Sequence, residues 1–258
     1  MEKSKNYSIF VKQLNLKTSM NKTRITRFIQ KYNLAGLVES VAWKAADGKL
    51  VTRFISDDKT VLGEIHLDNF TFNAPELGVY TTSTLNKLLS VVGDDVELEV
   101  QEQNGNAINL FIKSEGTKAQ FQLADLAVIP TVPDLKSLPD FDVKVEFDGK
   151  FIDKFIKGKN ALSDVDTFTV LTEGGELKII LGYSNVNSNR IVFSVDKNYA
   201  SEVKPISFSA KYLKEIFSAN KEANAVTLNI STSGLAHVEF KIDDFTAKYY
   251  LVEVQLTT

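Results

Sequence analysis

The sequence of 258 residues repeats itself after about half its length, and this repeat limits the folds that it can adopt. Segments near residues 25, 85 and 96 return 127, 128 and 130 positions later. The matched residues are Ile25, Phe28, Ile29 and Asn33 with Ile152, Phe155, Ile156 and Asn160; Leu85, Leu88 and Leu89 with Leu213, Ile216 and Phe217; and residues 96–100 with 226–230. Because the offsets agree, we predict two similar halves.

Each half contains the same order of elements twice. Amphipathic helices are predicted at residues 21–34, 83–92, 149–162 and 209–221. A hairpin glycine follows each helix centre by 17 to 20 residues, at Gly48, Gly105, Gly175 and Gly234. Strand-like segments flank these turns. The sequence therefore predicts an α+β fold of two similar domains, each made of two βαβββ units.

A proline-rich segment separates the two halves. Three of the five prolines, Pro130, Pro133 and Pro139, fall between residues 125 and 142. Such a segment is typical of an extended connection between domains. We predict an N-terminal tail at residues 1–13, a first domain at 14–125, a connector at 126–141 and a second domain at 142–258.

The composition excludes several kinds of site. Cysteine is absent, so thiolate metal sites and disulfides are excluded. The two histidines, His66 and His237, lie far apart in the sequence, which disfavours a paired-histidine centre. No apolar run approaches the length of a membrane span, and no apolar signal region follows the first residues. We therefore expect an intracellular protein without a metal or cofactor.

Positive charge is concentrated on the four predicted helices. They carry twelve basic and two acidic residues, a net charge of +10, whereas the remainder carries 18 basic and 31 acidic residues. Equivalent helices of a repeat present equivalent faces, so we expect one shared basic surface that contacts phosphates without reading sequence. The predicted contacts are Lys22, Arg24, Arg27, Lys31, Lys87, Lys150, Lys154, Lys157, Lys159, Lys211, Lys214 and Lys221.

Three other functions are alternatives to a duplex-binding surface. A metal-dependent nuclease could use adjacent aspartates, namely Asp57 with Asp58, Asp94 with Asp95, and Asp243 with Asp244, but their loop positions favour turn chemistry. A single-stranded nucleic-acid binder would interleave aromatic residues with lysines on a sheet, whereas these lysines lie on helices. A structural β-rich assembly protein would not need segregated charge. We therefore expect a protein that is not an enzyme.

Specific segments resemble the sliding clamps, the DNA polymerase processivity factors. Residues 121–130 (FQLADLAVIP) resemble the end of the first clamp domain, residues 206–213 (ISFSAKYL) the entry to the last helix, and residues 248–251 (KYYL) the final strand. The similarity covers roughly residues 14–251 and applies to the two-domain clamps, which are proliferating cell nuclear antigen and the T4-like phage clamps. Residues 1–13 and 252–258 depart from the family pattern.

The resemblance implies how such a chain works. Family members form six-domain rings around duplex DNA, which implies a homotrimer in which the strand at 119–123 meets the strand at 190–195 of the next subunit. A clamp loader and the DNA polymerase are the implied partners. A phage protein would act in the host cytoplasm, and a cellular one would act with the chromosome. The implied pocket for partner peptides contains Ile129, Val132, Leu135, Tyr250, Leu251 and Val252.

Overall fold

All four predicted helices are present in the computed structural model, which describes residues 17–254 except 73, 136, 185 and 187. They span Lys22–Asn33 (α1), Thr82–Ser90 (α2), Gly149–Ala161 (α3) and Ala210–Ala219 (α4). Asn21, Asp148 and Ser209 cap α1, α3 and α4, because each side chain accepts a hydrogen bond from a backbone N–H of the first turn. Among the described residues, none of these helices has the length and apolar composition that a membrane span requires.

Strands occupy most of the remaining described chain, and they complete four βαβββ units as predicted. The first strand of the first unit, at residues 17–21, was not predicted. The strands are Lys17–Asn21 (β1), Val41–Ala46 (β2), Lys49–Ile55 (β3), Val61–Leu67 (β4), Leu77–Val79 (β5), Asp95–Gln103 (β6), Asn106–Ser114 (β7), Thr117–Gln122 (β8), Val143–Asp148 (β9), Thr167–Glu173 (β10), Glu176–Leu181 (β11), Ile191–Asp196 (β12), Ile206–Ser209 (β13), Ala225–Ser231 (β14), Leu235–Ile242 (β15) and Phe245–Val252 (β16).

The strands form three antiparallel sheets. Two sheets have four strands each, in the orders β1-β6-β7-β8 and β12-β11-β10-β13. The third has eight strands in the order β5-β2-β3-β4-β16-β15-β14-β9. It is continuous across the two halves of the chain because β4 pairs with β16, from Val61 opposite Leu251 to Leu67 opposite Phe245.

The core lies between the sheets and the apolar faces of the helices. The repeated residues fill equivalent places, since Phe28 on α1 and Phe155 on α3 are both fully buried. Phe28 packs edge-on against Trp43, and Phe155 packs edge-on against Phe217 of α4. Burying one such ring stabilises the fold by roughly 2–3 kcal/mol. The repeat in the sequence is therefore a repeat of core positions.

The predicted division into domains stays a prediction. The connector at residues 126–141 has no strand or α-helix among its described residues and contains one short 3₁₀ turn, Leu126–Val128. The predicted tail at residues 1–13 lies outside the described residues.

Candidate nucleic-acid interface and partner groove

The four helices lie side by side in one layer. Helix α1 contacts α2 on one side and α4 on the other, and α4 contacts α3. The row therefore runs α2-α1-α4-α3, and its apolar sides face the sheets. The polar sides of four helices that are far apart in sequence consequently share one surface.

Helix α3 presents unpaired lysines on this surface. Ile152 and Phe155 are buried on its apolar side, whereas Lys150, Lys154 and Lys157 are exposed on the other. Within the described part of the chain, these three lysines have no ion-pair partner. Their ammonium groups are hydrated point charges that can meet phosphates without a fixed geometry.

Helices α2 and α4 add further cations to the surface. Lys87 on α2, Lys211 on α4 and Lys221 just after α4 are exposed, and none makes an ion pair with a described residue. Lys214 is half-buried and is paired with Glu215 at 2.6 Å. The surface thus holds six exposed lysines that make no ion pair with a described residue, three of them on α3.

The basic residues of α1 are paired with other groups of the same chain. Lys22 Nζ donates to the carbonyl oxygen of Val92 at 2.6 Å and lies 3.7 Å from Asp94. Arg24 forms an ion pair with Asp244. These basic residues of α1 are therefore engaged by other groups of the chain, whereas the exposed lysines of α3 make no ion pair with a described residue.

Three more ion pairs hold Arg27 and Lys31 of α1. Arg27 lies 2.9 Å from Asp243 and 3.2 Å from Glu222. Lys31 is fully buried, and its Nζ lies 2.7 Å from Glu222. Both cations also lie over the ring of Phe245, at 4.7 and 5.3 Å from its centroid.

Two of the predicted phosphate contacts are wrong. Lys31 is inaccessible, because its ammonium donates to Ala219 O, Asn220 Oδ1 and Glu222 Oε1. Lys159 is also buried, and its Nζ donates to the carbonyl oxygens of Leu162 and Ser163 at the end of α3. Each of these lysines lies at the border between the apolar and the polar side of its helix. Residue spacing alone did not distinguish this border position from the exposed side.

The electrostatics of the α1 cluster follow from burial and pairing. Burial lowers the pKa of Lys31, yet its three acceptors match the three N–H groups of an ammonium, so we treat it as protonated. Burial acts to raise the pKa of Glu222, but the hydrogen bonds from Lys31, a backbone N–H and Arg27 together with the charge of Lys31 outweigh it, and the net pKa is lowered. The pair is therefore ionised on both sides.

The adjacent aspartates have turn and pairing roles. Asp58 accepts hydrogen bonds from Ser56 Oγ and from Thr60 N, which is the chemistry of a turn. Asp243 and Asp244 form the turn between β15 and β16 and pair with arginines of α1. Among the described residues, no group of three or more possible metal ligands is present.

A groove of about 300 Å³ lies between the connector and the outer face of β2 and β3. Ile129 and Val132 of the connector line it, as does Leu126, whose side chain is exposed. The opposite wall was not predicted from the sequence. That wall consists of Ala42, Lys44, Val51 and Arg53, which alternate with buried residues along their two strands and could have been found from the register of the hairpin at Gly48.

The other predicted pocket residues do not line this groove. Leu251 is fully buried in the core, so its assignment as a partner contact is wrong. Tyr250 stacks on His237 on the outer face of the sheet, with ring centroids 4.7 Å apart. Leu135 and Val252 are exposed but lie outside the groove. Because side chains alternate across a strand, Tyr250 and Leu251 cannot share one pocket.

Two sheet edges carry the strands that the resemblance assigns to subunit contact. β8 ends one four-stranded sheet, and β12 ends the other. α2 packs against β8 at one end of the helix row, and Phe193 of β12 contacts Phe151 and Phe155 of α3 at the other end. Each end of the row therefore lies beside an edge strand.

Structural comparison identifies the fold. The chain is similar to proliferating cellular nuclear antigen from Entamoeba histolytica, with a TM-score of 0.69 and 16% identity over 94% of this chain and 100% of that chain. It is also similar to the structure of the C-terminal region of FEN-1 bound to A. fulgidus PCNA, with a TM-score of 0.72 and 16% identity over 94% and 99% of the two chains. No protein-family model and no curated protein matches the sequence. The fold is that of the sliding clamps, as predicted.

Proposed function

We propose that the protein is a sliding clamp, a ring that encircles duplex DNA and holds a DNA polymerase on it. The observation that carries this proposal is the row of four helices, on which six exposed lysines share one surface and make no ion pair within the described part of the chain. Lysine contacts to phosphate are weak and independent of sequence. Weak contacts suffice when a closed ring prevents dissociation, and they allow movement along the duplex.

A homotrimer would complete the ring. If β8 of one subunit pairs with β12 of the next, then α2 beside β8 comes close to α3 beside β12. The helix row would then continue from subunit to subunit around the hole. Pairing would also cover two open sheet edges, which soluble proteins otherwise have to protect.

We infer duplex DNA as the ligand in preference to single-stranded nucleic acid. Single-strand binders stack bases on exposed aromatic side chains. Along the helix row the phenylalanines Phe28, Phe155 and Phe217 are buried, and the exposed groups include the lysines. Phe151 of α3 is only partly exposed and stacks on Phe147, so among the described residues this surface supplies charge without exposed stacking platforms.

The groove beside the connector is the proposed site for partner proteins. A similar clamp structure holds the C-terminal region of FEN-1. In this chain Ile129 and Val132, with the exposed Leu126, supply an apolar wall for a short peptide. We propose that the polymerase and a clamp loader use such peptides, and that the protein has no catalytic role of its own.

The solution mass tests the ring. Light scattering at micromolar concentration should give three times the 28.7 kDa of one chain. Replacing Val192 of β12 with proline removes an N–H from the edge strand and should shift the mass toward the monomer. A stable monomer for the unaltered protein would contradict the proposal.

A further inference from the structure

The helix row contains a neutral patch at the junction of the two halves. Three cations of α1, Arg24, Arg27 and Lys31, meet three carboxylates contributed by the second half. These carboxylates, Glu222, Asp243 and Asp244, are called the acidic trio below. Three positive and three negative charges give this patch no net attraction for a polyanion.

The acidic trio lies close to a cation of the proposed duplex-binding surface. A groove between α1 and α4 is lined by Arg27, Lys221, Glu222 and Asp243, together with the exposed Gln30. Lys221 makes no ion pair within the described residues. A phosphate that approaches Lys221 in this groove therefore also approaches the carboxylates of Glu222 and Asp243. The guanidinium of Arg27 lies there too, but it is already paired with these carboxylates.

The members of the trio differ in how strongly the fold depends on them. The side chain of Asp243 is 67% exposed, and among the described residues it forms an ion pair with Arg27, which keeps its pair with Glu222 if Asp243 is changed. Asp243 has a φ of 53°, a backbone conformation that asparagine adopts readily. Glu222, in contrast, neutralises the fully buried Lys31. Asp243 is therefore the member that can be altered with the least effect on folding.

We infer that the acidic trio holds the duplex affinity of this protein below what its helix charges could provide. It occupies Arg24 and Arg27, and it repels phosphates from the groove that contains Lys221. The arginines of α1 would contact the duplex if the carboxylates of the same chain did not already pair with them. This inference rests on the proposed function, because it concerns the same helix surface.

The test uses the full-length protein and a short linear duplex with free ends, measured by fluorescence anisotropy over a range of salt concentrations. Asp243→Asn with Asp244→Asn should bind about tenfold more tightly at low salt, because two repelling charges are removed. The slope of log affinity against log salt should steepen by about one for each arginine that gains a phosphate. Asp243→Asn alone should give a smaller gain at an unchanged melting temperature.

A matched control separates this effect from net charge. Glu146→Gln with Glu239→Gln also removes two negative charges, but from the face of the eight-stranded sheet that points away from the helices. The neighbouring residues Val145 and Val238 are buried on the helix side, so the two glutamates point the other way. This variant should leave the affinity and the salt slope unchanged. An equal gain in the control, or no gain in either aspartate variant while the unaltered protein binds duplex, would overturn the inference and leave the proposed function standing. Failure of the unaltered protein to bind duplex would overturn both.

Discussion

Helices α1 and α3 occupy equivalent places in the internal repeat, and each was predicted to present four basic residues. On α3, three of the four lysines are exposed and unpaired among the described residues. On α1, each of the four basic side chains contacts a carboxylate, and Lys31 is fully buried. Equivalent sequence patterns have therefore produced a charged surface in one place and an internal ion-pair cluster in the other.

The tertiary surroundings of a helix determine whether its basic side chains are exposed or paired. The partners of Arg24, Arg27 and Lys31 lie about 190 to 220 residues further along the chain. Pairing of β4 with β16 brings the turn at Asp243 and Asp244 beside α1. Helix α3 lies at the far end of the row, where it packs on the edge strand β12. Position within the helix row therefore decides which cations stay free.

The largest expected effect is on stability, at α1. Glu222→Gln leaves Lys31 buried without its carboxylate, which should lower the free energy of unfolding by about 3 kcal/mol. Asp153→Asn on α3 removes an exposed carboxylate and should change it by less than about 0.5 kcal/mol. Urea denaturation of both variants measures the difference.

The pH dependence of the stability lost in Glu222→Gln is a control for this prediction. The pKa of Glu222 is lowered in the folded protein, so its stabilising contribution is complete above the ordinary value of 4.5 and is lost as the pH falls through the folded value. The gap between the unaltered protein and Glu222→Gln should therefore shrink on acidification. An equal, small loss in the Glu222 and Asp153 variants would show that the two helices do not differ as described.

A smaller effect is expected on duplex affinity, at α3. Lys154→Gln with Lys157→Gln should weaken binding to a short linear duplex about tenfold and flatten the salt slope by about two, because two phosphate contacts are lost. Both side chains are exposed, so the melting temperature should stay within a few degrees of the unaltered value.

The matched control removes two lysines from the other face of the protein. Lys144 and Lys241 are exposed on the face of the eight-stranded sheet that points away from the helices. Lys144→Gln with Lys241→Gln should leave duplex binding unchanged. If the two double variants weaken binding equally, total charge rather than the α3 stripe governs the interaction.

Much of the fold followed from local patterns in the sequence. The periodicity around Phe28 and Phe155 predicted helices and core positions, and the turn glycines predicted the hairpins. Local patterns did not predict the pairing of β4 with β16, because cross-chain register depends on the assembled sheet. They also did not predict that Ala42 and Val51 form a wall of the groove beside the connector, because these residues are far from the connector in the sequence.

The candidate surface was predictable in outline only. Lys154 and Lys157 are exposed, as their spacing opposite Phe155 indicated. Lys31 and Lys159 are buried because flanking positions of an amphipathic helix can turn either way. Lys31 donates to the distant Glu222, whereas Lys159 donates to carbonyl oxygens just beyond the end of its own helix. The prediction for Leu251 was wrong for a simpler reason, because the alternation of side chains along β16 directs this leucine into the core.

Retention on an end-blocked duplex is the measurement that decides whether the protein encloses duplex DNA, as we propose. A short linear duplex with biotin at both ends is closed by streptavidin either before or after the protein is added. A ring should fail to bind when the ends are blocked first, and it should stay bound through a high-salt wash when they are blocked afterwards. Equal binding and equal salt release in both orders would contradict enclosure and indicate an open basic surface.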